Sequence, residues 1–261
     1  MTSPLAQREG QPRLALGNIH KRFGSVVALD GVDFDIQAGE VVALCGDNGA
    51  GKSTLTKIMS GVYRPDAGEI RFEGRHVTVN SPEDASALGI STVYQDLALC
   101  ENLDVVANLF LGRERGPATL PPPLRPLDED AMEAKTREVL AGLAVNLPSV
   151  RRPVSFLSGG QRQAVAVSRA VLWGSKVVLL DEPTAALGVE QTAMVLRLVR
   201  QLRERGLAVV LISHNLADVF RVADRIVVLR QGRHVGSFIT AATKSQDVVA
   251  AITGGNLLEE A

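Results

Sequence analysis

Apolar positions along the chain follow two rhythms that divide it into strands and helices. Leu14, Leu16 and Ile19 alternate with other residues, and Val32, Phe34 and Ile36 alternate with Asp33, Asp35 and Gln37. A period of two with one polar face predicts half-buried antiparallel strands, and Ile70 with Phe72 predicts another. Other runs do not alternate: Val41-Val42-Ala43-Leu44-Cys45, Lys176 to Asp181, and Leu207 to Ile212. Strands that are apolar on both faces belong inside a parallel sheet covered on both sides. Gly89 to Tyr94 reads as a strand ending at Gln95-Asp96. Ile226 to Leu229 and His234 to Phe238 flank Gln231-Gly232 as a hairpin.

Between these runs the period lengthens to that of a helix. Leu55, Ile58 and Met59 share one face of a helix starting at Ser53, and Met132, Val139, Leu140 and Leu143 share a face over Asp128 to Gly142. Val195, Leu198, Val199 and Leu202 do so over Val189 to Arg205, and Asp104 to Leu111 is also helical in pattern. Ser81-Pro82-Glu83-Asp84 reads as a helix start, with Ser81 at the N-cap and Pro82 at N1. Strands alternating with helices argue for an α/β fold on a parallel sheet. Residues of about 96–172 read as a helical subdomain inserted between two core strands, with Gly116-Pro117 and Pro121-Pro122-Pro123 marking an extended linker. Residues 1–12 read as a flexible polar tail, and 13–261 as a single domain without internal repeats.

Composition narrows the classes of function. The 261 residues are 46% hydrophobic and 22% charged, ordinary for a globular chain able to bury a sizeable core. A net charge of −1 and an aromatic content of 4% leave neither the basic footprint nor the stacking platforms of a nucleic-acid binder. Met1 to Gln11 lack the apolar core of a signal peptide, and no apolar run is long enough to span a bilayer. Cys45 and Cys100 have no metal-ligand spacing. Cys45 reads as a small buried hydrophobe, and a reducing compartment is the simplest reading.

The chemistry starts at Gly46-Asp47-Asn48-Gly49-Ala50-Gly51-Lys52-Ser53-Thr54, which fits the phosphate-binding P-loop and lies between an apolar strand and a helix, as that motif requires. Its glycines let backbone N–H groups turn inward around phosphate oxygens. Lys52 offers a charge for the β- and γ-phosphates and Ser53 a hydroxyl for Mg²⁺. The helix N-terminus adds its partial positive charge. Asp181-Glu182 closes the apolar run at 177–180. There Asp181 would hold Mg²⁺, and Glu182 would accept a proton from, or orient, an attacking water. The plainer alternative is a helix start that merely favours acids. Leu157-Ser158-Gly159-Gly160-Gln161 reads as a capping box, with Ser158 and Gln161 in the reciprocal positions, opening a helix through Trp173. Glycine weakens a helical first turn by about 0.5–1 kcal/mol, so Gly159 and Gly160 suggest backbone N–H groups approaching an anion.

The latter stretch resembles the signature motif of ATP-binding cassette (ABC) ATPases, and the order P-loop, Gln95, signature, Asp181-Glu182, His214 matches that family. The resemblance implies an α/β P-loop NTPase with a mostly parallel core sheet, an N-terminal antiparallel β subdomain and the inserted helical subdomain. It implies a head-to-tail homodimer in which the P-loop of one copy and Ser158, Gly159, Gly160 and Gln161 of the other enclose ATP and Mg²⁺. On this resemblance Phe23 is the aromatic that stacks on adenine, although a place in the core is equally open to it. Gln95 contacts Mg²⁺ or water and couples to a transmembrane partner, and His214 contacts the γ-phosphate. His20, His76 and His234 lack such context and read as surface residues.

The chain departs from the family at Ala185-Ala186-Leu187-Gly188, where most members read Ser-Ala-Leu-Asp. The aspartate that crosses the dimer interface is absent at Gly188, which points to weakened communication between the two sites. This wording, together with Tyr94 to Leu99 and Leu111-Gly112-Arg113-Glu114, is similar to the ATP-binding subunits of ribose-, xylose- and fructose-type sugar importers, in the single-cassette form. The resemblance therefore implies an ATPase on the cytoplasmic face of the inner membrane. It would drive sugar uptake through a permease fed by a periplasmic sugar-binding protein, with no nucleic-acid partner. An ABC ATPase for amino acids, lipids or export, or a non-transport ABC protein acting on ribosomes or DNA, is the alternative.

Overall fold

The structure is a computed structural model that describes residues 11–114, 116 and 126–255. Most of the expected tail, and Pro117 and Pro121 to Pro123 of the expected linker, lie outside the described residues. Two sheets organise the fold. The first is antiparallel, built from β1 (Leu14–Phe23), β2 (Val26–Ile36), β4 (Ala67–Phe72) and β5 (Arg75–Val77) in the order β2-β1-β4-β5. The second has six strands: β3 (Val41–Cys45), β6 (Ile90–Val93), β7 (Val177–Asp181), β8 (Ala208–Ile212), β9 (Arg225–Arg230) and β10 (Arg233–Ile239). Its order is β10-β9-β3-β8-β7-β6, and every pairing is parallel except the β9–β10 hairpin.

The unalternating apolar runs are explained by two separate cores. In β3, Val42 and Leu44 face a core shared with the antiparallel sheet and with α1 (Lys52–Met59). Val41, Ala43 and Cys45 face a second core. That second core is covered by α3 (Val105–Phe110), α4 (Glu129–Gly142), α5 (Gly159–Leu172) and α6 (Val189–Glu204). Each of these side chains is fully buried, and burial of each Val or Leu contributes about 1.5–3 kcal/mol. The two sheets are also joined by Arg225 of β9, which donates to Glu40 at 2.9 Å and to Asp35 at 3.1 Å.

Local signals place the helices. Ser81 accepts from the Asp84 N–H at the start of α2 (Pro82–Leu88), with Pro82 in the first turn. Asp104 and Asp128 cap α3 and α4 in the same way. In chain order α3, α4 and α5 fall between β6 and β7. Two helices not anticipated above complete the fold, α7 (Leu216–Val222) and α8 (Ser245–Thr253). Of the three histidines expected at the surface only His76 is exposed: His20 and His234 are half-buried, and burial pushes the His234 imidazole below the usual histidine pKa.

Candidate functional site

The site is assembled at the ends of β3, β7 and β8, which lie side by side in the sheet. The turn after β3 is shaped by positions that only glycine tolerates. At Gly46 (φ 150°) a Cβ would run into the Leu229 carbonyl oxygen, and at Gly51 (φ 103°) it would come within 2.8 Å of the Ala28 carbonyl oxygen. Gly51 is the N-cap of α1 and no side chain caps the helix, so its first-turn N–H groups lack that usual partner. Ala50 is buried, whereas Asn48, Gly49 and Ser53 are exposed and Thr54 is half-buried. Lys52 Nζ donates to the Gly46 carbonyl at 2.7 Å and to the Asp47 carbonyl at 3.0 Å. The ammonium therefore lies folded over the loop that it would share with phosphates.

Asp181 ends β7 and Glu182 follows it. Burial, reinforced by the neighbouring Glu182 charge, pushes the Asp181 carboxyl above its ordinary pKa. Glu182 adopts the left-handed conformation, φ 50°, which is rare for residues other than glycine. Its N–H donates to the Ile212 carbonyl at 2.9 Å, and its Oε1 lies 2.9 Å from His214 Nδ1. Strain of this kind, held by a backbone bond at a carboxylate, is typical of functional sites. Cys45 donates weakly from Sγ to the Ser213 carbonyl at 3.7 Å, joining the end of β3 to the His214 turn. Burial pushes this thiol up to about 12.

The signature closes on itself as a capping box: Ser158 Oγ accepts from the Gln161 N–H, and Gln161 Oε1 accepts from the Ser158 N–H at 2.9 Å. Its glycines have a packing role within the chain that the sequence did not reveal. A Cβ at Gly159 would come within 2.8 Å of Leu187, and one at Gly160 within 2.8 Å of Met194. Both glycines let α5 lie against the start of α6. Gln95 is exposed and shares with Glu182 and Gly159 a cleft of about 440 Å³. The loop after Gln95 is tied to α5 by Arg169, whose guanidinium donates to the carbonyls of Ala98 (3.0 Å) and Leu97 (3.3 Å). Arg169 was missed in the sequence because a lone arginine on a helix carries no signal of its own.

Two further positions lie at the surface. Phe23 is 43% exposed and stands edge-on to Tyr63, with ring centroids 5.2 Å apart, so it is not a core residue. Gly188 is the N-cap of α6 in an extended conformation (φ −71°), makes no cap bond, and has open space where a Cβ would sit.

Comparison with known proteins follows from this geometry. Residues 29–185 match the ABC transporter family. The chain is similar to a fructose import ATP-binding protein of Rhizobium meliloti, with 48% identity over 94% of this chain and 95% of the relative. It is similar to a xylose/arabinose import ATP-binding protein of Sulfolobus acidocaldarius, with 46% identity over 92% and 93%. A ribose import ATP-binding protein of Rubrobacter xylanophilus is 43% identical over 96% of this chain, which spans 48% of that longer relative. Among solved structures, an ATP-binding cassette of an ABC transporter in its ADP conformation superposes with a TM-score of 0.79 at 25% identity, covering 94% of this chain and 96% of the other. A dimeric ATP-binding cassette bound to ADP and Pi gives 0.71 at 25% identity, covering 87% and 98%.

Proposed function

This chain belongs to the ABC transporter family, and on that premise we propose that it is the ATP-hydrolysing subunit of a sugar importer. The observation that carries the ATPase reading is the Glu182–His214 contact at the ends of two adjacent strands, next to the P-loop strand. The sugar reading is supported by the similarity to fructose, xylose/arabinose and ribose import proteins, two of them matched over nearly their whole length.

The residues fit a nucleoside triphosphate. The uncapped first turn of α1 presents N–H donors to phosphate oxygens. Lys52 would exchange its two carbonyl partners for the β- and γ-phosphates. The Ser53 hydroxyl and the Asp181 carboxylate are hard oxygen donors suited to Mg²⁺, together with phosphate oxygens and Gln95. A carboxyl already pushed up in pKa gains most from a cation placed beside it. When bound, Mg²⁺ supplies charge neutralisation at the β- and γ-phosphates. Glu182 orients the attacking water and accepts its proton, and His214 holds Glu182 through Oε1, leaving Oε2 for that water. Phe23 offers its exposed ring to adenine.

The signature residues Ser158, Gly159, Gly160 and Gln161 act on the nucleotide of a second copy, in a head-to-tail homodimer with two equivalent sites. Two helix starts of phosphate-binding type in one chain support this arrangement, as does the dimeric cassette of similar fold. No helix among the described residues is long and apolar enough to cross a membrane. The similarity to import ATP-binding proteins supports attachment to the cytoplasmic face through a permease, with a periplasmic sugar-binding protein delivering cargo.

The test is affinity purification from solubilised membranes of the native host. The reading expects a multi-span permease to co-purify and the ATPase to be stimulated by the sugar-loaded binding protein. Co-purification with ribosomes, and no permease, would overturn it.

A further inference from the structure

Phe156 is 64% exposed, although its neighbours Val154 and Leu157 are both in the core. Burial therefore does not account for an aromatic here. The turn that carries it is fixed: Val154 N–H donates to the Leu103 carbonyl at 2.9 Å and Ser155 N–H to the Glu101 carbonyl at 3.0 Å. The exposed Arg152 places its guanidinium 5.1 Å from the centre of the Phe156 ring, a cation–π pair that further orders the ring. The pair stands immediately before Ser158, the N-cap of α5. Two residues of chain reach at most about 7 Å, so Phe156 flanks the helix terminus assigned above to a second copy's nucleotide.

Among the described residues Phe23 and Tyr94 are also exposed aromatics, and Phe23 is the ring offered above to adenine. That ring is ordered by Tyr63 edge-on and by Lys21 at 5.6 Å from its centre. An adenine is flat, apolar on both faces and without charge, so one aromatic wall satisfies only half of it. We infer that Phe156, backed by Arg152, is the second wall of the base pocket, contributed in trans by the partner copy, so that adenine is held between Phe23 of one subunit and Phe156 of the other. This inference rests on the head-to-tail reading given above. It makes the pair a binding element for the base, with no contact to the reacting phosphate, and it ties nucleotide affinity to dimer closure.

The prediction separates binding from chemistry. Stacking on one aromatic is worth enough to raise KM for ATP about tenfold in Phe156→Ala, with kcat within about twofold of wild type. Phe156→Tyr keeps the wall and the wild-type KM. Inhibition by tripolyphosphate, which has no base, is unchanged in both variants. The trans assignment is tested with mixed dimers of Phe23→Ala and Phe156→Ala subunits carrying different affinity tags. One of their two sites then lacks both walls and the other has both, so a component with wild-type KM reappears at about half the wild-type turnover. An unchanged KM in the Phe156→Ala homodimer, or mixed dimers without a wild-type component, would overturn the inference. Absence of ATP hydrolysis by the wild-type protein would instead remove the functional reading beneath it, an outcome distinct from either.

Discussion

His214 Nδ1 lies 2.9 Å from Glu182 Oε1, and the register of two parallel strands sets that distance. Leu180 pairs with Leu211 and Asp181 with Ile212, and the Glu182 N–H closes on the Ile212 carbonyl. The residues that follow the two strands therefore emerge side by side. The imidazole is 76% exposed and the carboxylate 18%, so the histidine covers the carboxylate from the solvent side. A bond of this geometry requires the proton on Nδ1, which fixes the tautomer of a neutral His214.

Gly188→Asp is expected to stabilise the protein. The position has the extended backbone of an N-cap, an exposed Cβ direction and no existing cap bond. Aspartate there can accept from the first-turn N–H groups of α6, for a gain of a few tenths of a kcal/mol over glycine. Thermal unfolding should shift upward by about 1 °C. The same substitution restores the aspartate that the family carries across its dimer interface, so the Hill coefficient for ATP should rise. An unchanged Hill coefficient would contradict the reading of weakened communication.

Asp181→Asn should make the nucleotide-free protein more stable at neutral pH. The folded pKa of Asp181 is raised by burial and by Glu182. The folded state therefore keeps this proton to higher pH than the unfolded state does. The stability linked to the group is fully present below its unfolded pKa of about 4 and is lost as pH rises through the higher folded value. Unfolding temperatures in Mg²⁺-free buffer should thus favour the variant at pH 7, with the difference shrinking as pH falls towards about 4. A difference that grows on acidification would contradict the assignment.

The two cysteines should differ sharply in reactivity. Cys45 is buried, with a thiol pushed up to about 12, whereas Cys100 is half-buried. Iodoacetamide at pH 8 attacks thiolate. Mass spectrometry of the native protein should therefore find Cys100 alkylated first and Cys45 protected until unfolding. Labelling of both at equal rates would show that the β3–His214 turn junction opens.

Much of this was legible in the sequence because each signal had one physical cause. The run Val41 to Cys45 is apolar throughout because its alternate faces enter two different cores. Ser158 and Gln161 form the capping box that their spacing predicts. The roles of Gly159 and Gly160 were only half visible, since their fit against Leu187 and Met194 depends on a tertiary approach of α5 to α6. The short helix α7 escaped notice because it is only seven residues long, and its cap, Asn215, follows directly on His214. The exposure of Phe23 could not be read either, because an aromatic at a strand end serves a core or a surface equally well.

Activation of water by Glu182, held by His214, is read out by ATP turnover of the purified chain with Glu182→Gln. The substitution keeps the side-chain shape and a hydrogen-bond acceptor but removes the base. The variant should show unchanged ATP binding, hydrolysis slowed roughly 100-fold or more, and an accumulated ATP-bound dimer. Hydrolysis by Glu182→Gln at the wild-type rate would contradict that role of Glu182.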